Sequence, residues 1–215
     1  MKPVSKKPSA ASLFPMFLKL EGRGCLVVGA GAVAEGKISG LLDAAAKVRV
    51  VAPEATAQVK SWAAAGHIEW LARPAEPSDL DGMLLVVAAT DSHELHENIH
   101  AEARLRGVLC NVVDVPELCD FYYPAVAQRG ALQIAVSTSG QSPALAQRLR
   151  KELEQQFGPE YEAWLKQLGE EREKLFAASN MDPEERKRLL HDLASADAFK
   201  SFLRKRKRTK NQPRV

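Results

Sequence analysis

The residues best suited to chemistry lie in a glycine-containing turn, Gly29–Ala34, that follows a short apolar segment. Gly29, Gly31 and Ala34 fit the G-x-G-x-x-G/A pattern of dinucleotide-binding proteins. Gly29 would permit the tight turn, and Gly31 would let the backbone approach a diphosphate. Unpaired N–H groups at the start of the following helix would attract the same negative charge. The pattern therefore predicts a dinucleotide site, with the alternative that the glycines serve only the turn.

The tip of the second predicted strand bears on the choice of cofactor. Dinucleotide-binding proteins usually have an acid there to hold the ribose hydroxyls, but this sequence has Ala52 and Pro53, and Glu54 comes slightly late. Arg49 lies within the strand, so it is not an obvious partner for a 2′-phosphate. The segment favours NAD over NADP.

A second candidate is the carboxylate of Asp114, at the end of the predicted strand Val108–Val113. We expect this strand to be central and parallel, with its carboxyl end facing the crevice of the glycine turn, so that Asp114 could lie near a nicotinamide. An Asp in this position can also open a turn, and both interpretations remain open. Thr90 ends another apolar strand at the same predicted edge.

A loop rich in hydroxyl groups, Ser137–Ser142, enters a predicted helix with Ser142 as N-cap and Pro143 as its first residue. Such a helix start is suited to anions, and a substrate with several carboxylates would match it. The alternative is an ordinary capping loop. Positive charge close by in sequence comes from Arg129, Arg148 and Arg150.

Three histidines, His93, His96 and His100, fall on roughly one face of a predicted helix. They could be metal ligands, but nothing in the sequence marks an acidic co-ligand or a supporting shell. We interpret them as polar residues on an exposed helix face and predict no metal site.

Composition indicates a globular protein of 215 residues without an apolar run near the ~20 residues that span a membrane. Residues 1–12 are basic but have no apolar signal region, which predicts a disordered leader. The cysteines are odd in number, which favours reduced thiols in a cytoplasmic protein. They are Cys25, Cys110 and Cys119.

The net charge of +3 hides a basic C-terminus, because residues 204–215 carry seven Lys or Arg and no acid. The rest of the chain is therefore near 3 − 7 = −4. No aromatic residues interleave with these charges, so we interpret the run as a solvated tail in preference to a nucleic-acid-binding segment.

Strands alternating with helices over about residues 22–115 predict an α/β fold, a Rossmann-type doubly wound parallel sheet. The sequence after it becomes turn-rich and then helical. We predict a Rossmann domain over 13–115, a small dimerisation segment over 116–157, a helical module over 158–203 and the basic tail over 204–215.

Several segments together resemble the precorrin-2 dehydrogenase family, the NAD-dependent module of siroheme synthase that also occurs as stand-alone proteins. The resemblance covers about residues 13–195. The segments are Gly29–Gly31, Val50–Glu54, Ala88–Asp91, Asn111–Asp114, Pro116–Ala125 and Ala135–Ala144.

The resemblance implies oxidation of the tetrapyrrole precorrin-2 to sirohydrochlorin with NAD, and in some members insertion of Fe²⁺ to give siroheme. It also implies an intertwined homodimer. The methyltransferase domain of multifunctional relatives is not expected here, since the sequence ends at Val215.

The same resemblance assigns roles to individual residues. Asp114 matches the catalytic aspartate of the family, and Ser137 matches a serine that is phosphorylated in some members. His96 stands where Asn is frequent, and Ser139 stands where Gly is common. Cofactor contacts are implied for Ala32, Val33, Pro53 and Glu54, beside Gly29, Gly31 and Thr90. Substrate contacts are expected for Ser137, Thr138, Ser139, Gly140 and Ser142.

Two other functions remain as alternatives. One is a non-catalytic NAD-sensing Rossmann module that regulates another protein; such modules usually have the strand-tip acid that is missing here. The other is a redox-linked nucleic-acid binder that uses the basic tail, which salt-dependent binding of generic DNA would support.

Overall fold

The computed structural model describes residues 13–178 and 180–210, and it divides the chain into two compact units that meet in sequence between Tyr123 and Pro124. The predicted leader, 1–12, lies outside the described residues. Among the described residues, no helix combines the length and apolarity needed to cross a bilayer.

Five parallel strands form the sheet of the first unit in the order β3-β2-β1-β4-β5. The strands are β1 Gly24–Val28, β2 Lys47–Val51, β3 Ile68–Leu71, β4 Leu85–Ala88 and β5 Leu109–Val112. The helices between them are α1 Ala32–Asp43, α2 Ala57–Ala64 and α3 His93–Arg106. The predicted doubly wound α/β fold is confirmed.

Alternation along β1 divides the apolar core into two layers. Cys25 and Val27 join the layer covered by α1 and α2, while Leu26 and Val28 join the layer covered by α3. All four side chains are almost fully buried. Burial on both faces explains why the sequence of this strand is continuously apolar, and each buried valine or leucine contributes about 1.5–3 kcal/mol.

The described cysteines are all free. Burial raises the pKa of Cys25 to about 11 and that of Cys110 to about 12. Both groups therefore remain thiols at neutral pH.

The prediction that Asp114 ends a central strand is wrong, because β5 is the edge strand of the sheet. The segment after β5 folds back along this edge. The Cys110 N–H donates to Asp120 Oδ2 at 2.9 Å, and the Asp120 N–H donates to the Cys110 carbonyl at 2.7 Å. Asn111 Nδ2 donates to the Phe121 carbonyl at 2.8 Å. These bonds explain why the first unit continues past residue 115 to Tyr123.

The second unit has a two-stranded antiparallel ribbon followed by helices. Its elements are β6 Ala125–Arg129, β7 Leu132–Val136, α4 Pro143–Gln156, α5 Glu160–Ala177, α6 Pro183–Leu193 and α7 Ala196–Lys210. β6 was not predicted from the sequence. Residues 204–210 of the predicted tail are helical, and residues 211–215 lie outside the described part of the chain.

An ion pair between the half-buried Arg73 and the buried Asp79 fixes the connection between β3 and β4. Asp79 is 3% exposed and accepts from both terminal nitrogens of the Arg73 guanidinium, at 2.8 and 2.6 Å. It also accepts from the Glu76 N–H at 2.8 Å. The hydrogen bond from Arg73 lowers the pKa of Asp79, against the opposing effect of burial.

We predict that Asp79→Asn lowers the free energy of unfolding by about 1–3 kcal/mol at neutral pH, because Arg73 loses its charged partner. The lowered pKa of Asp79 gives stability that is complete above the ordinary Asp value of about 3.9 and is lost as pH falls through the folded-state pKa. The difference between wild type and variant should therefore shrink in acid. Urea unfolding at neutral and acidic pH measures it.

Asp81→Asn is the matched control, since Asp81 pairs with Arg106 but its side chain is 68% exposed. An exposed pair contributes about 0–1 kcal/mol. Equal losses in the two variants, or an Asp79→Asn loss that persists in acid, would contradict the prediction.

Candidate functional site

The carboxyl ends of three adjacent strands are joined by backbone hydrogen bonds. The Gly29 N–H, just after β1, donates to the Val51 carbonyl at the end of β2 at 3.0 Å. The Ala89 N–H, just after β4, donates to the Val28 carbonyl at 2.8 Å, and the Thr56 N–H reaches the Ala30 carbonyl at 3.1 Å. The glycine turn is therefore held between the β2–α2 loop and the residues that follow β4.

The two glycines of the turn have different surroundings. A Cβ atom on Gly29 would lie 2.2 Å from the Ala89 carbonyl oxygen and 3.1 Å from Thr90 Cγ2, and Gly29 has a φ of +104°. A Cβ atom on Gly31 would meet no described heavy atom within 4 Å. Gly29 is thus required by the fold, whereas Gly31 leaves open space above the turn.

The start of α1 fits a diphosphate. Its N-cap is Gly31, which has no side chain, so the helix start receives no side-chain cap. Ala32 and Val33 are exposed at this start, and Val33 is 59% exposed. Open backbone N–H groups at the positive end of a 12-residue helix are what an anionic ligand requires.

Pro53 and Glu54 are exposed in the loop after β2, next to the glycine turn. Arg49 points along the sheet, where its Nε donates to Glu69 Oε2 on β3 at 2.7 Å. Since Arg49 has a carboxylate partner, its positive charge is already engaged. The predicted cofactor residues of the first unit therefore share one edge of the sheet.

The interpretation of the three histidines as an exposed face is wrong for His96, which is 5% exposed. Its Nε2 lies 2.9 Å from Thr90 Oγ1. His93 is exposed and pairs with Glu97 at 3.6 Å, and His100 is half-buried. The described residues contain no cluster of three His, Cys, Asp or Glu side chains suited to a metal.

Asp114 lies at the same edge, one strand further along. The preceding residue, Val113, donates its N–H to the Ala88 carbonyl at the end of β4 at 3.0 Å. Asp114 itself has a φ of +62°, in the left-handed region that a non-glycine residue rarely adopts. Its carboxylate is exposed. Aspartate adopts this conformation more readily than most non-glycine residues, and the conformation fixes the direction in which the Asp114 side chain leaves the backbone.

Lys37 was missed by the sequence analysis. Its Nζ lies 3.7 Å from the centre of the Tyr123 ring. Burial lowers the pKa of the Lys37 ammonium, and the nearby charge of Asp114 opposes this shift. A signal was present: Lys37 falls between Ala34 and Ile38, on the apolar stripe of α1, where a charged residue is unusual. Lys37 is thus close to both the Tyr123 ring and the Asp114 carboxylate.

The loop Ser137–Ser142 belongs to the second unit, and its hydroxyl oxygens accept hydrogen bonds from its own backbone. Ser137 Oγ accepts from the Ser139 N–H at 3.2 Å, Thr138 Oγ1 from the Ser142 N–H at 3.1 Å, and Ser142 Oγ from the Leu145 N–H at 3.2 Å. The capping roles of Ser142 and Pro143 are confirmed. Ser139 has a φ of +52° and Gly140 one of +79°.

The predicted contribution of the arginines to this loop is wrong. Arg129 donates to the carbonyl oxygens of Glu154 and Phe157 at 2.8 and 2.9 Å, so it lies at the C-terminus of α4, the opposite end of that helix from the loop. Within α4, Arg148 pairs with Glu152 and Arg150 pairs with Glu154, each one helical turn away. The loop therefore has its helix start but lacks the expected charge from Arg129.

A cavity of about 280 Å³ opens between α3 and the 3-10 turn Pro77–Leu80. Its walls are mainly apolar, with Glu76, Asn98 and Glu102 as the polar contributors. In the described part of the chain, the predicted cofactor residues are not among those that line it. The cavity is a gap in the packing of α3 on β1, separate from the edge that carries the glycine turn.

We predict that Gly31→Asp binds NAD at least about tenfold more weakly while its unfolding free energy changes little. The new carboxylate would occupy the open space above the turn and repel a diphosphate. Calorimetric titration with NAD, with circular dichroism to check the fold, measures this. Gly29→Ala should instead destabilise the fold itself. Unchanged NAD affinity in folded Gly31→Asp would refute the assignment.

Two family profiles match the chain. The family described as "Putative NAD(P)-binding" matches residues 16–125, more than half of the chain, and "Sirohaem biosynthesis protein central" matches residues 129–156. The solved structure of SirC, a precorrin-2 dehydrogenase, is similar with a TM-score of 0.70 and 27% identity, over 90% of this chain and 98% of that one.

Siroheme synthases are similar in sequence to part of the chain. Those of Methylobacillus flagellatus and Pseudomonas entomophila are each 46% identical over 140 residues, which is 65% of this chain and 30% of theirs. The chain thus spans less than a third of the length of these relatives. It belongs to the NAD(P)-binding family that forms the N-terminal module of siroheme synthase.

Proposed function

We propose that this protein oxidises precorrin-2 to sirohydrochlorin with NAD. The observation that carries the proposal is the Asp114 carboxylate, held at a φ of +62° at the sheet edge that also bears the glycine turn. Similarity to a precorrin-2 dehydrogenase over 90% of the chain supports it. The activity belongs to siroheme biosynthesis, as do the named relatives.

The reaction removes two hydrogens from the macrocycle, one as a hydride and one as a proton. Bound NAD supplies a hydride acceptor. The task left to the chain is to hold the macrocycle in place and to accept the proton, for which the Asp114 carboxylate is suited. The left-handed backbone fixes the direction in which this side chain leaves the chain.

Lys37 adds a positive charge beside Asp114. Its ammonium is half-buried and packed on the Tyr123 ring, so it is restrained near the carboxylate. Lys37 and Tyr123 therefore act as supports for the proposed base.

NAD rather than NADP is the proposed cofactor. The loop after β2 offers Glu54, whose carboxylate would repel a 2′-phosphate, and Arg49 is engaged by Glu69. The proposed cofactor contacts are Gly29, Gly31, Ala32, Val33, Pro53, Glu54 and Thr90.

The loop Ser137–Ser142 is the proposed contact for the carboxylates of the tetrapyrrole. The first turn of α4 has backbone N–H groups, and the hydroxyls of Ser137 and Thr138 can still donate after accepting from the backbone. Ser139, Gly140 and Ser142 complete this contact.

Insertion of Fe²⁺ into sirohydrochlorin stays a prediction. It also removes protons from the macrocycle, so Asp114 would serve both steps. A cytoplasmic location is likewise proposed, supported by the free thiols of the described cysteines.

We predict that Asp114→Asn lowers the rate of precorrin-2 oxidation by about 10²–10⁴-fold and leaves NAD affinity unchanged, because the amide keeps the shape but not the base. Anaerobic incubation with precorrin-2, in parallel with NAD and NADP, followed by the absorption spectrum of the macrocycle, measures the rate. Calorimetric titration with NAD measures the affinity. Glu117→Gln, an exposed carboxylate on the same segment, is the control and should retain wild-type turnover.

Wild-type turnover by Asp114→Asn would remove Asp114 from the mechanism. NAD binding by the wild type with no oxidation of precorrin-2 would favour the alternative of a non-catalytic NAD sensor. Calorimetric titration of the wild type with NAD measures binding, and the macrocycle spectrum measures oxidation.

The second unit supports a homodimer. Its β6–β7 ribbon has only two strands and packs against α4, and both of its outer edges leave backbone groups unpaired within the described residues. Phe176 on α5 is 52% exposed and Leu145 on α4 is 38% exposed. A second copy of the chain would cover such surfaces.

We predict that light scattering gives twice the 23.5 kDa chain mass at micromolar concentration. Association should not depend on NAD, since the second unit carries the ribbon. A monomer mass under these conditions would contradict the dimer.

A further inference from the structure

His96 is a buried polar residue with one of its two ring nitrogens unpaired. Its Nε2 lies 2.9 Å from Thr90 Oγ1, and its Nδ1 has no hydrogen-bond partner among the described residues. The whole residue is 5% exposed. An apolar side chain such as leucine would fill this space without leaving a buried nitrogen unpaired. The His96 ring therefore has a role besides packing.

The position of the ring proton follows from the unpaired nitrogen. In neutral histidine one nitrogen carries the proton and the other a lone pair. Buried N–H groups without an acceptor are rarer in proteins than acceptors without a donor. The favoured arrangement puts the proton on Nε2, which then donates to Thr90 Oγ1 and leaves the lone pair at Nδ1.

This arrangement determines what Thr90 can do. With the proton on Nε2, the Thr90 hydroxyl oxygen accepts from His96 and its own proton is available for another acceptor; the described residues offer Thr90 no second hydrogen-bond partner. The Thr90 methyl faces Gly29, since a Cβ atom there would lie 3.1 Å from Thr90 Cγ2. The Thr90 side chain thus lies beside the glycine turn.

We propose that Thr90 donates a hydrogen bond to a diphosphate oxygen of the dinucleotide, and that His96 is the positioning residue that makes Thr90 a donor. The inference rests on the proposed function and deepens it, since it names a specific donor for the cofactor. Thr90 contacts the ligand, and His96 acts through Thr90.

Four variants test this. Thr90→Val removes the hydroxyl and keeps the methyl against Gly29. His96→Leu removes the donor, whereas His96→Gln keeps an N–H near the position of Nε2. The fourth is the double variant Thr90→Val/His96→Leu. Affinities are measured calorimetrically for NAD and for ADP-ribose, which has the diphosphate but no nicotinamide, and thermal unfolding reports on the fold.

We expect Thr90→Val to weaken both ligands by about 10-fold or more, as loss of a hydrogen bond to a charged oxygen does. His96→Leu should weaken both by a smaller factor and should have no further effect in the Thr90→Val background. His96→Gln should restore wild-type affinity. Thermal stability of His96→Leu should stay near or above wild type, because an unpaired buried nitrogen is removed.

Independent losses that multiply in the double variant would overturn the link between His96 and Thr90. Unchanged affinity in Thr90→Val, or a loss confined to NAD, would overturn the diphosphate contact. If wild type binds neither ligand, the dinucleotide site itself is wrong; if it binds both and the variants do too, only this inference fails.

Discussion

The site depends on the close approach of Gly29 to the Ala89 carbonyl. Here the backbone after β1 contacts the backbone after β4 so closely that position 29 has no room for a side chain. The contact is possible because β1 lies between β2 and β4, so its turn is bonded on one side to Val51 and packed on the other against Thr90. A larger residue at position 29 would separate the glycine turn from the groups expected to share its ligand.

The part of the fold encoded by local chemistry was predictable. Glycine in a strand–turn–helix setting has few alternatives, and the apolar strands separated by helices leave little choice but a parallel sheet. Strand order is not local. The segment that contains Asp120 covers the outer edge of β5 as a neighbouring strand would. The sequence Val108–Val113 is therefore as apolar as that of a central strand, and the two positions cannot be told apart from it. β6 was missed because its alanines resemble a linker.

The errors at the candidate site have the same origin. Whether His96 faces solvent or Thr90 depends on how α3 rolls on the sheet, and periodicity alone cannot give this rotation. Arg129 is near the Ser137 loop in sequence, but α4 carries its partners to the far end of the helix. Lys37 was predictable in principle, since a charge on an apolar stripe needs a compensating environment. Here that environment is Tyr123 together with Asp114.

The Asp120 bonds to the backbone of β5 also bear on how the chain reaches its native state. Parallel sheets assemble slowly because each strand must wait for a distant segment, and a half-formed sheet exposes edges that recruit other molecules. Asp120 needs only ten residues of chain to reach Cys110. The edge strand β5 is therefore covered by a segment that lies close to it in sequence, so its exposed edge can be covered without waiting for the second unit.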